Sequence, residues 1–211
     1  MPYFMFEGPN GSGKTALVNE IKKHLESRGK SVIGVREPYG LGFGVTSKLF
    51  NLLEETVTTP RVAHMLMQTI RMSCQEWVED LLKKKPETIV IQDRGFPSTF
   101  VYQVLQKVDI EDVIRATLVT QLVRPDILFI LEISPEEAMK RMEERKRPND
   151  EFIREADLRR VCEMYEDEPW SKSFNPHETV YLDATLPVED LAVFASIHIL
   201  SNISKKVRNG S

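Results

Sequence analysis

Residues Gly8-Pro9-Asn10-Gly11-Ser12-Gly13-Lys14-Thr15 fit the pattern G-x-x-x-x-G-K-[ST] in full, directly after an apolar run and directly before a helical one. The residue types answer a chemical need. Glycines let the backbone curl around phosphate oxygens, while successive N–H groups and the following helix N-terminus aim positive dipole at them. Lys14 is placed to reach the β- and γ-phosphates as a mobile point charge, and the Thr15 hydroxyl suits magnesium. Gly8 to Thr15 are therefore expected to bind ATP with Mg2+, on an exposed loop. A phosphate loop alone does not separate a GTPase, an ATPase motor and a small-molecule kinase.

Three other segments bear on the second substrate. At Arg36-Glu37-Pro38-Tyr39-Gly40 a proline and a glycine force a turn after a short apolar run. At Gln92-Asp93-Arg94-Gly95 an acid and a cation adjoin; Ser98 and Tyr102 follow four apart on one face of a helix, with Gln103 next. A helical stretch from about 60 to 82 sets Arg71 among apolar neighbours. Lys140 to Arg147 is dense in charge, which by itself is as well read as a solvated helix end with cations near its carbonyls.

The elements that must position these residues are legible in the hydrophobic period. Short apolar runs at Tyr3 to Phe6, Val32 to Val35, Thr88 to Ile91, Ile127 to Ile133 and Thr179 to Leu182 read as buried strands. Between them, Leu17, Ile21 and Leu25 recur at helical spacing with Gly29 as a stop, Ser134-Pro135-Glu136-Glu137 is a helix start, and Pro187 opens a last helix. Val- and Ile-rich strands between helices imply an α/β fold: a five-stranded parallel sheet with helices on both faces. Ligands of such sheets bind beyond the carboxyl ends of the strands. Each functional residue should therefore follow a strand end or lie on a helix crossing that edge.

Composition supports one globular domain over 1–211: 41% hydrophobic and 28% charged residues. A net charge of −4 gives no pull toward polymeric nucleic acid or an anionic membrane, so phosphate binding must be local. Without a signal peptide or the roughly 18 apolar residues of a membrane helix, the chain is expected to be cytoplasmic. Cys74 and Cys162 are expected to be buried, and the four histidines form no metal motif. The tail from Lys205 to Ser211 is expected to fray.

Four segments in order carry a family likeness: Phe6-Glu7-Gly8-Pro9-Asn10-Gly11-Ser12-Gly13-Lys14, Arg36-Glu37-Pro38-Tyr39-Gly40, Met65-Leu66-Met67-Gln68-Thr69-Ile70-Arg71, and Asp93-Arg94 through Ser98 to Tyr102-Gln103. The chain resembles the thymidylate kinase family of nucleoside-monophosphate kinases. That resemblance implies γ-phosphoryl transfer from ATP to thymidine monophosphate. Arg94 would hold the acceptor phosphate and Arg71 the pyrimidine edge, with Met67 against the base. Ser98, Tyr102 and Gln103 would face base and sugar, Asp93 would lie by the magnesium, and Arg36, Glu37 and Pro38 would close a wall. A lid at about 141–154 would bring Arg145 and Arg147 to the transferring phosphoryl group. The family's homodimers form through crossover helices, where Val62, Met65 and Met72 could serve.

Departures accompany the likeness. Asn10 replaces the family's usual aspartate, Met67 a stacking phenylalanine, and Tyr39 a glycine, so use of a broader range of deoxynucleoside monophosphates is an alternative. A second alternative is a deoxynucleoside kinase, whose neutral 5′-hydroxyl acceptor needs a base that Glu37 could supply. A nucleotide-dependent switch is a third, though the chain lacks the Asn-Lys-x-Asp guanine motif.

Overall fold

The computed structural model describes residues 2–37, 59–120, 123–145, 154–171 and 173–209. Pro38, Tyr39, Arg147 and the lid from 146 to 153 lie outside the described residues. Five strands, β1 (Tyr3–Glu7), β2 (Val32–Arg36), β3 (Ile89–Asp93), β4 (Ile127–Glu132) and β5 (Thr179–Asp183), form one all-parallel sheet in the order β2-β3-β1-β4-β5. Helices among the described residues are α1 (Lys14–Glu26), α2 (Pro60–Lys84), α3 (Phe96–Leu105), α4 (Ile110–Thr120), α5 (Pro135–Arg145), α6 (Glu155–Asp167) and α7 (Val188–Asn209).

Alternation along the strands divides the apolar residues into two cores, because successive side chains of a strand point to opposite faces. Phe4 and Phe6, Ile89 and Ile91, and Ile127, Phe129 and Leu131 join Leu17, Ile21 and Leu25 of α1 and Leu191, Ala195 and Ile199 of α7. Tyr3 and Met5, Val90, and Leu128 and Ile130 meet Val78 and Leu82 of α2, Phe96 and Phe100 of α3, and Trp170. Phe6 and Phe129 stack across neighbouring strands with centroids 4.6 Å apart. Both faces are thus covered, as continuous Val/Ile/Phe runs require.

The register aligns the carboxyl ends: Phe6 pairs with Asp93 and Phe129, and Arg36 with Asp93. The chain leaves β1 toward β2 on one side and leaves β3 toward β4 on the other, so the crevice past β1 and β3 is the switch point of this sheet. No helix among the described residues is long and apolar enough to cross a membrane.

The expected strands are all present, β3 running on to Asp93. The Ser134 hydroxyl accepts from Glu137 N–H, capping α5. The tail differs from expectation: α7 continues through Asn209, and Lys206 reaches the buried Asp126, whose other oxygen accepts from Tyr3 N–H at 3.1 Å. A long-range ion pair at Lys206 therefore ties the described part of the segment expected to fray.

Phe129→Ala, which empties a ring from the sheet centre, is expected to cost about 3–5 kcal/mol. A lower urea midpoint at unchanged slope is the readout.

Candidate active site

The phosphate loop departs from the expected exposure: Gly8, Pro9, Gly11, Ser12 and Lys14 are buried, Asn10 is half-buried and Gly13 is open. Two glycines are required by close approach. Gly8 and Gly11 have φ of 142° and 86°, and a Cβ would fall 2.6 Å from the Leu131 carbonyl oxygen and 2.5 Å from that of Ala138. The loop is thereby pressed against β4 and α5, with Gly13 leading into α1. Lys14 folds back over it, its ammonium donating to the Gly8 and Pro9 carbonyls at 2.7 Å each and to Ser12 Oγ at 3.1 Å. Burial, then the nearby charge of Arg94, holds the Lys14 amine well below the ordinary lysine range. An anion in the loop opposes both effects.

Glu7, the last residue of β1, organises the start of α3. Its side chain is fully buried and accepts from Gly95 N–H (2.5 Å), Ser98 N–H (3.1 Å), Ser98 Oγ–H (2.6 Å) and Tyr165 O–H (2.9 Å). A carboxylate from another strand thus caps the N-terminus of α3, which has no cap of its own. Burial, followed by the Glu7 charge, pushes the Tyr165 hydroxyl up and keeps it a donor.

Between Glu7 and the loop, Arg94 adopts φ 70°, a left-handed conformation rare outside glycine and often found at functional sites. Its backbone is held by N–H donation to Phe6 O at 3.0 Å and by Gln92 Nε2 donating to its carbonyl at 2.9 Å. The guanidinium donates to Ser98 Oγ at 2.9 Å and to Asn10 Oδ1, and lies over the Tyr102 ring at 5.4 Å. The Tyr102 hydroxyl also donates to Asn10 Oδ1, at 3.0 Å. Arg94 thus turns to Asn10 and Ser98, while the adjoining Asp93 takes Thr15 and Arg36. Asn10, on the phosphate loop, thus joins Arg94 directly.

Glu37 and Arg71 form a buried pair. Arg71 Nε and Nη2 donate to Glu37 Oε2 at 3.2 and 3.1 Å, Nη2 reaches Gly95 O at 2.7 Å and Thr99 Oγ1, and Gln92 Nε2 donates to Glu37 Oε1 at 2.9 Å. Burial raises the Glu37 pKa against the lowering effect of Arg71. Both Glu37 oxygens are taken. Arg71 Nη1 and Gln103 Oε1, by contrast, are buried without a hydrogen-bond partner among the described residues.

Thr15 Oγ1 donates to Asp93 Oδ2 at 2.7 Å, Arg36 Nε lies 3.7 Å from the same oxygen, and Asp93 Oδ1 is buried without a partner among the described residues. A hydroxyl and a carboxylate with one oxygen unspent are the hard oxygen donors that suit a divalent cation. Met67 is half-buried on α2. Arg145 is exposed at the end of α5, and its charge acts on Lys14. Glu7 and Tyr165 escaped the sequence reading as functional supports: Glu7 is indistinguishable from a strand residue by period, and Tyr165 lies 158 positions away from it.

Glu7→Gln should cost about 3 kcal/mol in urea unfolding, since an amide nitrogen would face hydroxyl and N–H donors. The same variant should raise the KM for the acceptor more than for the donor nucleotide. A family model described as thymidylate kinase matches residues 6–193. The chain is 32% identical over 196 residues to a protein of Sulfurisphaera tokodaii named "Probable thymidylate kinase", covering 90% of this chain and 92% of that one. It is 29% identical over 144 residues to the thymidylate kinase of Caldicellulosiruptor saccharolyticus (66% and 68% covered). With the thymidylate kinase of Caldanaerobacter subterraneus it shares 32% over 151 residues (68% and 70% covered). With both the site geometry and the sequence match in agreement, the chain belongs to the thymidylate kinase family.

Proposed function

We propose that this chain transfers the γ-phosphoryl group of ATP to thymidine monophosphate, as one kinase domain. The observation that carries the reading is the junction of the ATP loop with Arg94 through Asn10, which sets a donor-side cation and an acceptor-side cation beside one crevice. Such a site suits two phosphates that repel each other until both are neutralised. A monophosphate brings its own anionic oxygen as nucleophile, so no base is required. The occupied Glu37 agrees with that and speaks against a nucleoside acceptor, whose hydroxyl would need an available carboxylate.

Each residue's part follows from its surroundings. Lys14 exchanges loop carbonyls for phosphate oxygens. Arg94, permanently charged and held by Ser98 and Asn10, presents a planar fork to the acceptor phosphate. Arg71, fixed by Glu37, offers Nη1 to the pyrimidine edge, and Arg145 closes over ATP with the lid. Thr15 and Asp93 would hold Mg2+, which would supply charge neutralisation at the ATP phosphates. Exposed Val62, Met65 and Met72 on α2 and Leu118 and Val119 on α4 support a homodimer. The cytoplasm is the proposed location, where both nucleotides are met in solution.

ADP release measured with ATP plus thymidine monophosphate, thymidine or no acceptor tests the reading. The monophosphate alone should stimulate; stimulation by the nucleoside instead overturns it. Lys14→Met, which keeps the buried stem, should lower kcat by about 10³-fold. Arg94→Lys should lower kcat/KM for the acceptor by about 10²-fold with the ATP KM little changed, because an ammonium cannot span Asn10 and Ser98.

A further inference from the structure

Gln92 of β3, Tyr3 of β1 and Gln75 of α2 carry polar groups into the core, where each is almost without exposed surface. Such groups are tolerated there because they bond to one another. Val123 N–H, ahead of β4, donates to Gln75 Oε1 at 3.3 Å, Gln75 Nε2 donates to the Tyr3 hydroxyl at 3.3 Å, and that hydroxyl donates to Gln92 Oε1 at 2.8 Å. Gln92 Nε2 then donates twice, to Glu37 Oε1 and to the Arg94 carbonyl, at 2.9 Å each.

The direction of this chain is forced from both ends. A backbone N–H only donates, so Gln75 must turn its oxygen to Val123 and its NH2 to Tyr3. A hydroxyl carries a single hydrogen, and Tyr3, having accepted from Gln75, spends it on Gln92. At the far end the Arg94 carbonyl only accepts, which also calls for the NH2 end of Gln92. Turning that amide over would set its oxygen against those of Glu37 and Arg94. Its two hydrogens are thus divided between two supports of the crevice: Glu37, which grips Arg71 through Oε2, and the left-handed backbone of Arg94. None of these bonds involves Gly8 to Thr15.

We propose that Gln92 is a positioning residue that locks Arg71 and Arg94 at a fixed separation, and that Tyr3 acts on the acceptor through Gln92 alone. This rests on the roles proposed above, with the acceptor's phosphate at Arg94 and its base at Arg71. A ligand gripped at two points gains most when the two grips are held in place beforehand, because a small misplacement of either is costly. ATP, held by the phosphate loop, is indifferent to the lock.

Steady-state kinetics with ATP and thymidine monophosphate supply the test. Gln92→Met keeps the length and bulk of the side chain but donates nothing, and should lower kcat/KM for the acceptor about 30-fold while the ATP KM stays within about twofold. Tyr3→Phe leaves every group at Glu37 and Arg94 in place and only frees the amide to turn; it should lower the same constant about threefold. Added to Gln92→Met, Tyr3→Phe should cost nothing further, because the oxygen it orients is gone. Equal losses for acceptor and ATP would mark a merely structural role and overturn the inference, as would a Tyr3→Phe loss that persists in full beside Gln92→Met. Should Gln92→Met fail to fold, Tyr3→Phe decides by itself: an acceptor constant equal to the original overturns the inference. If the unaltered protein does not turn over thymidine monophosphate, the proposed function falls and this inference with it, whereas turnover that both variants match overturns this inference alone.

Discussion

A carboxylate without exposed surface, Glu7, sits where the sheet ends and the phosphate loop begins, and the start of α3 is arranged around it. Its position is dictated by β1, the central strand, so it moves only if the sheet moves. Four donors converge on it from Gly95, Ser98 and Tyr165. Burying that charge is expensive unless every lone pair is used. The helix start, its serine and a tyrosine from α6 are thereby fixed in one geometry. Arg94 inherits that precision through Ser98, and its left-handed backbone is tolerated because the surroundings over-determine it.

Charge is distributed with the same economy. Glu37 is spent on Arg71, Asp93 on Thr15 and Arg36, and Glu7 on neutral donors, which leaves Lys14 and Arg94 facing one crevice with their positive charge uncompensated by a loop carboxylate. Asn10 matters here. A neutral oxygen seats Arg94 and Tyr102 without cancelling the cation. The family's usual aspartate would hold Arg94 more tightly and offset more of its charge. Asparagine therefore leaves more of the Arg94 charge uncompensated.

Much of the fold was legible because its causes are local. Strands with alternating core faces, the Ser134 cap and the glycine loop each obey short-range rules, and all appear where the pattern puts them. Boundaries shifted at β3 because cross-strand pairing with β1 and β2 carries it to Asp93. The fate of the C-terminal tail was not legible. Lys206 finds Asp126 only once α7 has packed, and no local rule connects residues 80 apart.

The sequence by itself determined the phosphate loop, the parallel sheet and the identity of the strand-end residues, since these follow from backbone sterics and hydrophobic period. Only the tertiary structure decided what those residues do to one another. It paired Glu37 with Arg71 and Gln92, turned Arg94 to Asn10 rather than to its neighbour Asp93, and gave Glu7 and Tyr165 surroundings that composition cannot express. Hydrogen-bond partners are chosen by distance and direction in the folded chain. Those quantities arise when helices cross a sheet edge, and the order of residues along the chain does not contain them.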